Sequence, residues 1–523
     1  MRYVLGIACL FFIYEGLRFL LLRVTKQVLQ QRARRFADQH GVRVDLFKFG
    51  GKLLVREELL NDLVVVRAML AAAQAGERPT EVRKRVEEYI DEIVPAFSLT
   101  AYYEFGMKLA RAAIRAVYRP LIDSQSLKRI SRLPPNATAV FLINHRSNFD
   151  YLVVGWALSR QVAISYAVGE WARIFPLDAL FRAFGGFFVR RGFPDLLYHT
   201  VLRRYLQLIT RRGVTQGIFP EGGLTRDGAL RAPKVGLLDA LLQLSAEPGF
   251  DRELYFVPVG INYDRVLEDE NLLAEQRGRE KPPTRAEKLR GALRLLWVVP
   301  VRIALNLLRA ATGRLHRHGY VAVALGEPVR LRDLPQSKNI GELSDENRRA
   351  VAKEIAQQLM ERIALTIPAV PVPLVARALV EMKYQATEEQ LVRRVRDLRA
   401  ELAKRGVPTA LGVEFDSLRR ARAQLAEEHR NRDLARLEGD VLELEEAEEI
   451  ARLGLQRLAQ RKAVSREQGE VRLGTHPHAA ELLEYYARSL AALDSSPAAA
   501  GAASLETGGS MNPKAVPTWS SRS

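Results

Sequence analysis

The sequence predicts an α/β fold, a largely parallel central sheet flanked by helices, with helical regions before and after it. Three observations predict it. Short, dense runs of β-branched and aliphatic residues alternate with helix-period stretches over roughly 200 residues, the pattern of parallel strands joined by crossover helices. On both sides of that block the hydrophobic period is helical throughout. And 523 residues with 48% hydrophobic and 27% charged residues are enough to bury a large core. Disordered, collagenous and polytopic membrane classes are thereby excluded.

The most apolar stretch comes first, from Tyr3 to Val24, and it is interrupted by Glu15 and Arg18. Its length suffices to cross a bilayer, but each central charge costs about 2.5–3.5 kcal/mol against about 0.3–0.6 kcal/mol returned per apolar residue. A spanning anchor, an interfacial helix and a buried core helix all stay open for residues 1–24. Arg32, Arg34 and Arg35 follow and would face the cytoplasm under the positive-inside rule, so a membrane location on the cytoplasmic face is expected. Residues 25–118 read as a helical N-terminal region: one helix from Glu57 to Ala75, a break at Gly76 to Pro79, a second helix to Ile93, and a third from Ala101 to Tyr118, closed by Pro120.

Residues 119–335 form the expected α/β domain. Ala137 to Ile143 is a buried strand, followed by strand candidates at Val162–Val168, Gly217–Pro220, Tyr255–Val259 and Tyr320–Leu325. Helices are expected at Leu152–Leu158, Pro194–Thr210 and Val235–Leu244. Glu287 to Ala310 is apolar and studded with arginines, suited either to a membrane surface or to a packed helix pair broken at Pro300. Residues 340–492 return to helical period as a helical C-terminal region, and 494–523, rich in Ser, Ala, Gly and Pro, is expected to be disordered.

Charge and cysteine narrow the chemistry. Lys and Arg number 79 against 61 Asp and Glu, a net +18, which favours anionic partners such as phosphate esters or anionic membrane lipids. The basic residues are spread along the chain rather than gathered with aromatics, so nucleic acid is not expected as a partner. The single cysteine, Cys9, excludes an internal disulfide and thiolate redox chemistry. The His316/His318 and His476/His478 pairs have no carboxylate cluster beside them, and no metal and no cofactor are expected.

The chemistry-bearing residues begin where the strand ending at Ile143 runs into Asn144-His145-Arg146-Ser147-Asn148-Phe149-Asp150-Tyr151. Ligands bind at the carboxyl ends of strands in open α/β sheets. Five residues turn an α-helix by about 500°, so His145 and Asp150 do not share a helix face. Across a turn at a helix start, however, the carboxylate folds back onto the imidazole, fixes its tautomer and leaves the other nitrogen as a general base. Three further blocks follow: Gly185 to Gly192, with Arg190 and Arg191; Phe219 to Arg226, with Glu221, Gly222, Gly223, Thr225 and Arg226; and Val257 to Asp264.

These four blocks, in this order and spacing, resemble those of the glycerolipid acyltransferases. The His-Arg-Ser-x-x-Asp-Tyr form of the first is similar to the glycerol-3-phosphate and dihydroxyacetone-phosphate acyltransferases; lysophosphatidate acyltransferases usually lack the Arg after the His. The resemblance implies His145 as the base and Asp150 as its orienting partner, with no covalent acyl-enzyme. It implies substrate contacts from Arg146, Ser147, Arg190 or Arg191, Glu221, Gly222, Gly223, Thr225 and Arg226, with Lys234 a further candidate to face phosphate. A guanidinium fork suits a phosphate dianion, and glycines let backbone approach a ligand closely. One departure is visible: the third block reads Leu224-Thr225-Arg226 where the family commonly has Arg-Ser-Arg. The expected activity is O-acyl transfer from acyl-CoA or acyl carrier protein to a phosphorylated glycerol acceptor, glycerol 3-phosphate first. Lysophosphatidate and dihydroxyacetone phosphate stay open as acceptors, and a basic membrane-surface binding protein is the non-enzymatic alternative.

Overall fold

The computed structural model describes residues 51–95, 106–159, 161–162, 164–169, 185–190, 192–278, 317–412, 415–417, 420, 432–494 and 519–520. The apolar stretch at 3–24, the arginine-studded stretch at 287–310, Arg191 and most of the 494–523 tail lie outside them. Among the described residues no helix is long and apolar enough to cross a membrane.

Strands alternate with helices as the sequence patterning requires. The helices are α1 (Gly51–Leu60), α2 (Leu63–Gln74), α3 (Pro79–Ile93), α4 (Met107–Val117), α5 (Ser124–Ser131), α6 (Asp150–Leu158), α7 (Leu196–Arg211), α8 (Gly236–Ser245) and α9 (Asp269–Gln276). They are followed by α10 (Asp345–Thr366), α11 (Pro371–Glu381), α12 (Glu388–Lys404), α13 (Arg432–Gln460) and α14 (Ala479–Ala487). The strands are β1 (Arg119–Asp123), β2 (Ala137–Ile143), β3 (Ser165–Gly169), β4 (Phe187–Val189), β5 (Gln216–Ile218), β6 (Glu253–Tyr263), β7 (Tyr320–Leu325), β8 (Val329–Arg330), β9 (Ala386–Thr387), β10 (Val464–Glu467), β11 (Glu470–Leu473) and β12 (Trp519–Ser520).

The main sheet runs β12-β1-β7-β6-β2-β5-β3-β4, with β8 also on β6. From β6 through β2, β5, β3 and β4 every pairing is parallel. β7 is antiparallel to β6, and β1 is parallel to β7, so the sheet is mixed with a parallel block at its centre. All seven residues of β2 are buried, as a strand covered on both faces must be. Its side chains alternate between two cores: Ala139, Phe141 and Ile143 join a layer with α4, α6 and α11–α14, whereas Val140 and Leu142 face α1–α3, α7, α8 and α10.

The differences from expectation have local causes. The helix expected from Glu57 to Ala75 is two, because the Asp62 carboxylate accepts from Val64 N and Val65 N and starts α2 afresh. Pro120 does not simply end a helix; it lies in β1, paired with Val321 of β7. The C-terminal region is not wholly helical: β10 and β11 form a hairpin, and β9 pairs with β11. In the tail, Trp519–Ser520 pair antiparallel with β1 rather than standing free of the sheet.

Candidate active site

β2 delivers its last residue to the carboxyl edge of the sheet, and Asn144 continues its pairing with side-chain atoms. Asn144 Nδ2 donates to the Ile261 carbonyl at 3.0 Å and Oδ1 accepts from Ile261 N at 2.8 Å. This amide clamp to β6 fixes the backbone one residue before His145.

His145 is 1% exposed and held at three atoms. Its N–H donates to Glu221 Oε1 at 2.7 Å, its carbonyl accepts from Thr225 N at 3.1 Å, and its Nδ1 lies 3.0 Å from Asp150 Oδ2. The ring packs against Phe219 at 4.2 Å between centroids and edge-on to Tyr151 at 5.5 Å. Asp150, fully buried, opens α6. Besides the imidazole, Oδ2 accepts from Arg146 N at 2.7 Å and Ser147 N at 3.0 Å, while Oδ1 accepts from Tyr263 Oη at 2.6 Å. A carboxylate so supplied with donors acts as an acceptor, so Nδ1 carries the proton and Nε2 presents its lone pair. The imidazole is thus built as a proton acceptor at Nε2, which has no hydrogen-bond partner among the described residues.

The turn that shapes this arrangement is braced from the residue that caps the start of α9. Glu268, whose carboxyl burial pushes above its ordinary value, accepts from Ser147 Oγ at 2.7 Å and Asn148 N at 3.2 Å. Ser147 Oγ in turn accepts from Phe149 N at 3.0 Å. Glu221 carries a comparable load: burial pushes its carboxyl up to about 7, with the N–H groups of Arg231 and His145 pulling the other way. Gly222 sits at φ +64°, a backbone conformation that favours glycine, and a Cβ there would displace the Lys234 side chain, whose Cγ would lie 2.7 Å away.

The expected site residues therefore divide. His145, Asp150, Arg146, Ser147, Glu221, Gly222 and Thr225 come together, with Gly223 in the same turn. Within that group Ser147, Glu221 and Thr225 hold the turn itself. Arg190 stands at the end of β4, its Nε 2.7 Å from Glu92 Oε1 and its Nη2 on the other Glu92 oxygen, with Phe193, Tyr89 and Tyr198 around the guanidinium. Arg226 is 55% exposed and paired with Glu275 at 2.9 Å. Both guanidinium groups are thus engaged by carboxylates. Tyr263, Asn144 and Glu268 were not singled out from the sequence. Tyr263 and Asn144 lie inside blocks that were, and their neighbours marked them.

Among the described residues no group of His, Cys, Asp and Glu could hold a metal ion. Residues 126–262 match the family described as Acyltransferase, and residues 304–450 match the Glycerol-3-phosphate acyltransferase C-terminal region. The chain is 28% identical over 394 residues to the glycerol-3-phosphate acyltransferase of Glaesserella parasuis, covering 71% of this chain and 45% of that one. It is 31% identical over 280 residues to that of Aeromonas hydrophila, covering 52% and 34%. The chain thus spans less than half the length of these curated relatives. A solved structure, the 1-acyl-sn-glycerophosphate (LPA) acyltransferase of Thermotoga maritima, aligns with 59% of this chain and 94% of its own at 16% identity. Its TM-score of 0.27 is too low to bear on the fold.

Proposed function

We propose that this chain, which carries an acyltransferase region and is similar to the glycerol-3-phosphate acyltransferases, is an O-acyltransferase. It moves a fatty acyl group from acyl-CoA or acyl carrier protein to the hydroxyl of glycerol 3-phosphate, the first acylation of phospholipid synthesis. The observation that carries the reading is the His145–Asp150 pair at the carboxyl edge of the sheet, with Nδ1 locked and Nε2 left as acceptor. Nε2 takes the proton as the acceptor hydroxyl attacks the thioester carbonyl. The tetrahedral intermediate then collapses, the C–S bond breaks, and the thiolate leaves readily because thiols are more acidic than alcohols. Asp150 keeps the imidazole oriented and stabilises its charged form.

The test is release of free thiol from an acyl thioester, measured with glycerol 3-phosphate, dihydroxyacetone phosphate and lysophosphatidate in turn. Glycerol 3-phosphate is expected to be preferred; preference for another acceptor would move the assignment within the superfamily. His145→Ala is expected to lower turnover by about 10²–10⁴-fold, the usual contribution of general-base catalysis. Retention of more than about a tenth of the activity would remove His145 from that role.

For location, the reading is the cytoplasmic face of a membrane, supported by the Tyr3 to Val24 stretch and the net charge of +18. Anionic lipid attraction is worth about 1 kcal/mol per basic residue near the surface and is screened by salt. The protein should pellet with membranes and resist release by high salt. Recovery in the soluble fraction at physiological salt would overturn this placement.

A further inference from the structure

Arg146 is 3% exposed, yet its Nε and Nη2 have no hydrogen-bond partner among the described residues. Its Nη1 donates to the Gly228 carbonyl at 2.9 Å, and no described carboxylate forms an ion pair with it. A buried guanidinium with two unsatisfied N–H positions is costly. The comparably buried Arg348 is paired with both Asp239 and Asp345. Nε and Nη2 share one edge of the guanidinium, and two parallel N–H groups on one edge fit two oxygens of a phosphate.

A second orphan lies beside the first. Tyr485 of α14 is 1% exposed, its ring lies 5.2 Å from the Arg146 guanidinium carbon, and its hydroxyl has no partner among the described residues. Tyr485 also lines a cavity of about 250 Å³ between α14 and the loop after β5. The acids of that cavity are already engaged: Asp227 and Glu484 pair with Arg488, and Glu481 pairs with Arg277. Tyr485 therefore stands between a polar cavity and a cation that has no ion-pair partner among the described residues, one residue from His145.

We propose that Arg146 and Tyr485 form the seat of the acceptor's phosphate, entered from this cavity as the Tyr485 ring moves off the guanidinium. The proposal rests on the acyl-transfer reading above and deepens it. It names which cation takes the phosphate, and it makes α14, outside both family-matched stretches, part of the acceptor site. Arg190 and Arg226, the cations favoured by the sequence blocks, are both already committed to carboxylates.

The intact protein is assayed with one acyl donor and two acceptors, glycerol 3-phosphate and glycerol, and the ratio of their kcat/KM values is read. Arg146→Gln should lower that ratio about ten-fold or more, through the KM for glycerol 3-phosphate and not that for the donor. Tyr485→Phe, which deletes one hydroxyl, should lower it by a few-fold. A ratio left intact by Arg146→Gln but collapsed by Arg226→Gln overturns the proposal. So does an equal loss for both acceptors in Arg146→Gln together with an unchanged ratio in Tyr485→Phe. If the wild-type protein transfers nothing to glycerol 3-phosphate, the acceptor reading fails instead. Calorimetric binding of inorganic phosphate then decides the seat, being lost in Arg146→Gln if the proposal holds and retained if it does not.

Discussion

At the scale of single residues, the site is a set of buried polar atoms whose partners are nearly all accounted for. Tyr263 is the sharpest example, because its hydroxyl is the donor on the Asp150 oxygen that His145 does not use. Tyr263→Phe removes that donor with little change of volume. The buried Asp150 carboxylate then holds the imidazole in place less firmly. Turnover should fall, a hydrogen bond to a charged group being worth about 1.5–3 kcal/mol. Unchanged turnover would make the tyrosine a packing residue only. Glu221 gives a stability prediction of definite sign. Burial raises its carboxyl from 4.5 to about 7, so between these values the folded chain binds more protons than the unfolded one. Stability from this group is therefore greatest below about pH 4.5 and falls as pH rises to about 7, by roughly 3 kcal/mol in all. The melting temperature of wild type minus that of Glu221→Gln should fall over that window, since the amide does not titrate; a difference independent of pH would contradict it. His145 and Asp150 were legible in the sequence because a five-residue turn decides their geometry. The work of Glu221 and Glu268 was not, because their partners lie 76 and more than 100 residues away and only the fold brings them together.

Elements show the same division between what patterning carries and what packing decides. β2 and β7 run over the residues that their apolar character marks, since a strand buried on both faces must be apolar throughout. β4 and β5, three residues each, are too short to show a period, and the β10–β11 hairpin is polar along one side. That Arg190 and Arg226 pair with Glu92 on α3 and Glu275 on α9 is likewise not legible in the sequence, because those carboxylates are remote along the chain. The loop after β5 and α14 approach each other closely, backbone to backbone. Gly228 has φ +86°, and a Cβ there would stand 1.8 Å from the Tyr485 carbonyl oxygen. Neither backbone can yield locally, so Gly228→Ala should push α14 away from the loop. It should lower the melting temperature and raise amide exchange across residues 479–487, with acyl transfer falling in step. Normal exchange in that segment would show that the contact is soft.

For the whole molecule, the question is whether the C-terminal helices are an appendage or part of the body that holds His145. The buried polar contacts answer that they are part of it. Asp264 closes the last sequence block, is fully buried, and accepts from Tyr320 N at 2.7 Å and Val372 N at 2.9 Å, with Arg457 of α13 as its counter-ion. Arg461, in the turn just after that helix, pairs with Asp269 of α9, whose N-cap Glu268 braces the turn after His145. Two arginines, one on α13 and one just after it, thus neutralise two carboxylates next to Tyr263 and Glu268, and through those residues they bear on the His145–Asp150 pair. Burial already raises the Asp264 carboxyl above its ordinary value, and Arg457 opposes that rise. Arg457→Ala leaves the carboxylate buried and uncompensated, which should cost about 3–5 kcal/mol. The carboxyl then takes up a proton more readily, so the folded state binds it at higher pH than the unfolded chain does. The deficit should accordingly be smaller at pH 5 than at pH 8, because protonation relieves the buried charge. Arg457→Met combined with Asp264→Asn removes both charges and should recover most of the loss. Denaturant unfolding of the four proteins at both pH values measures this directly. A deficit that is the same at both values, or one that the double substitution does not relieve, would mean that Arg457 acts through its contact with the Tyr320 ring and not through its charge.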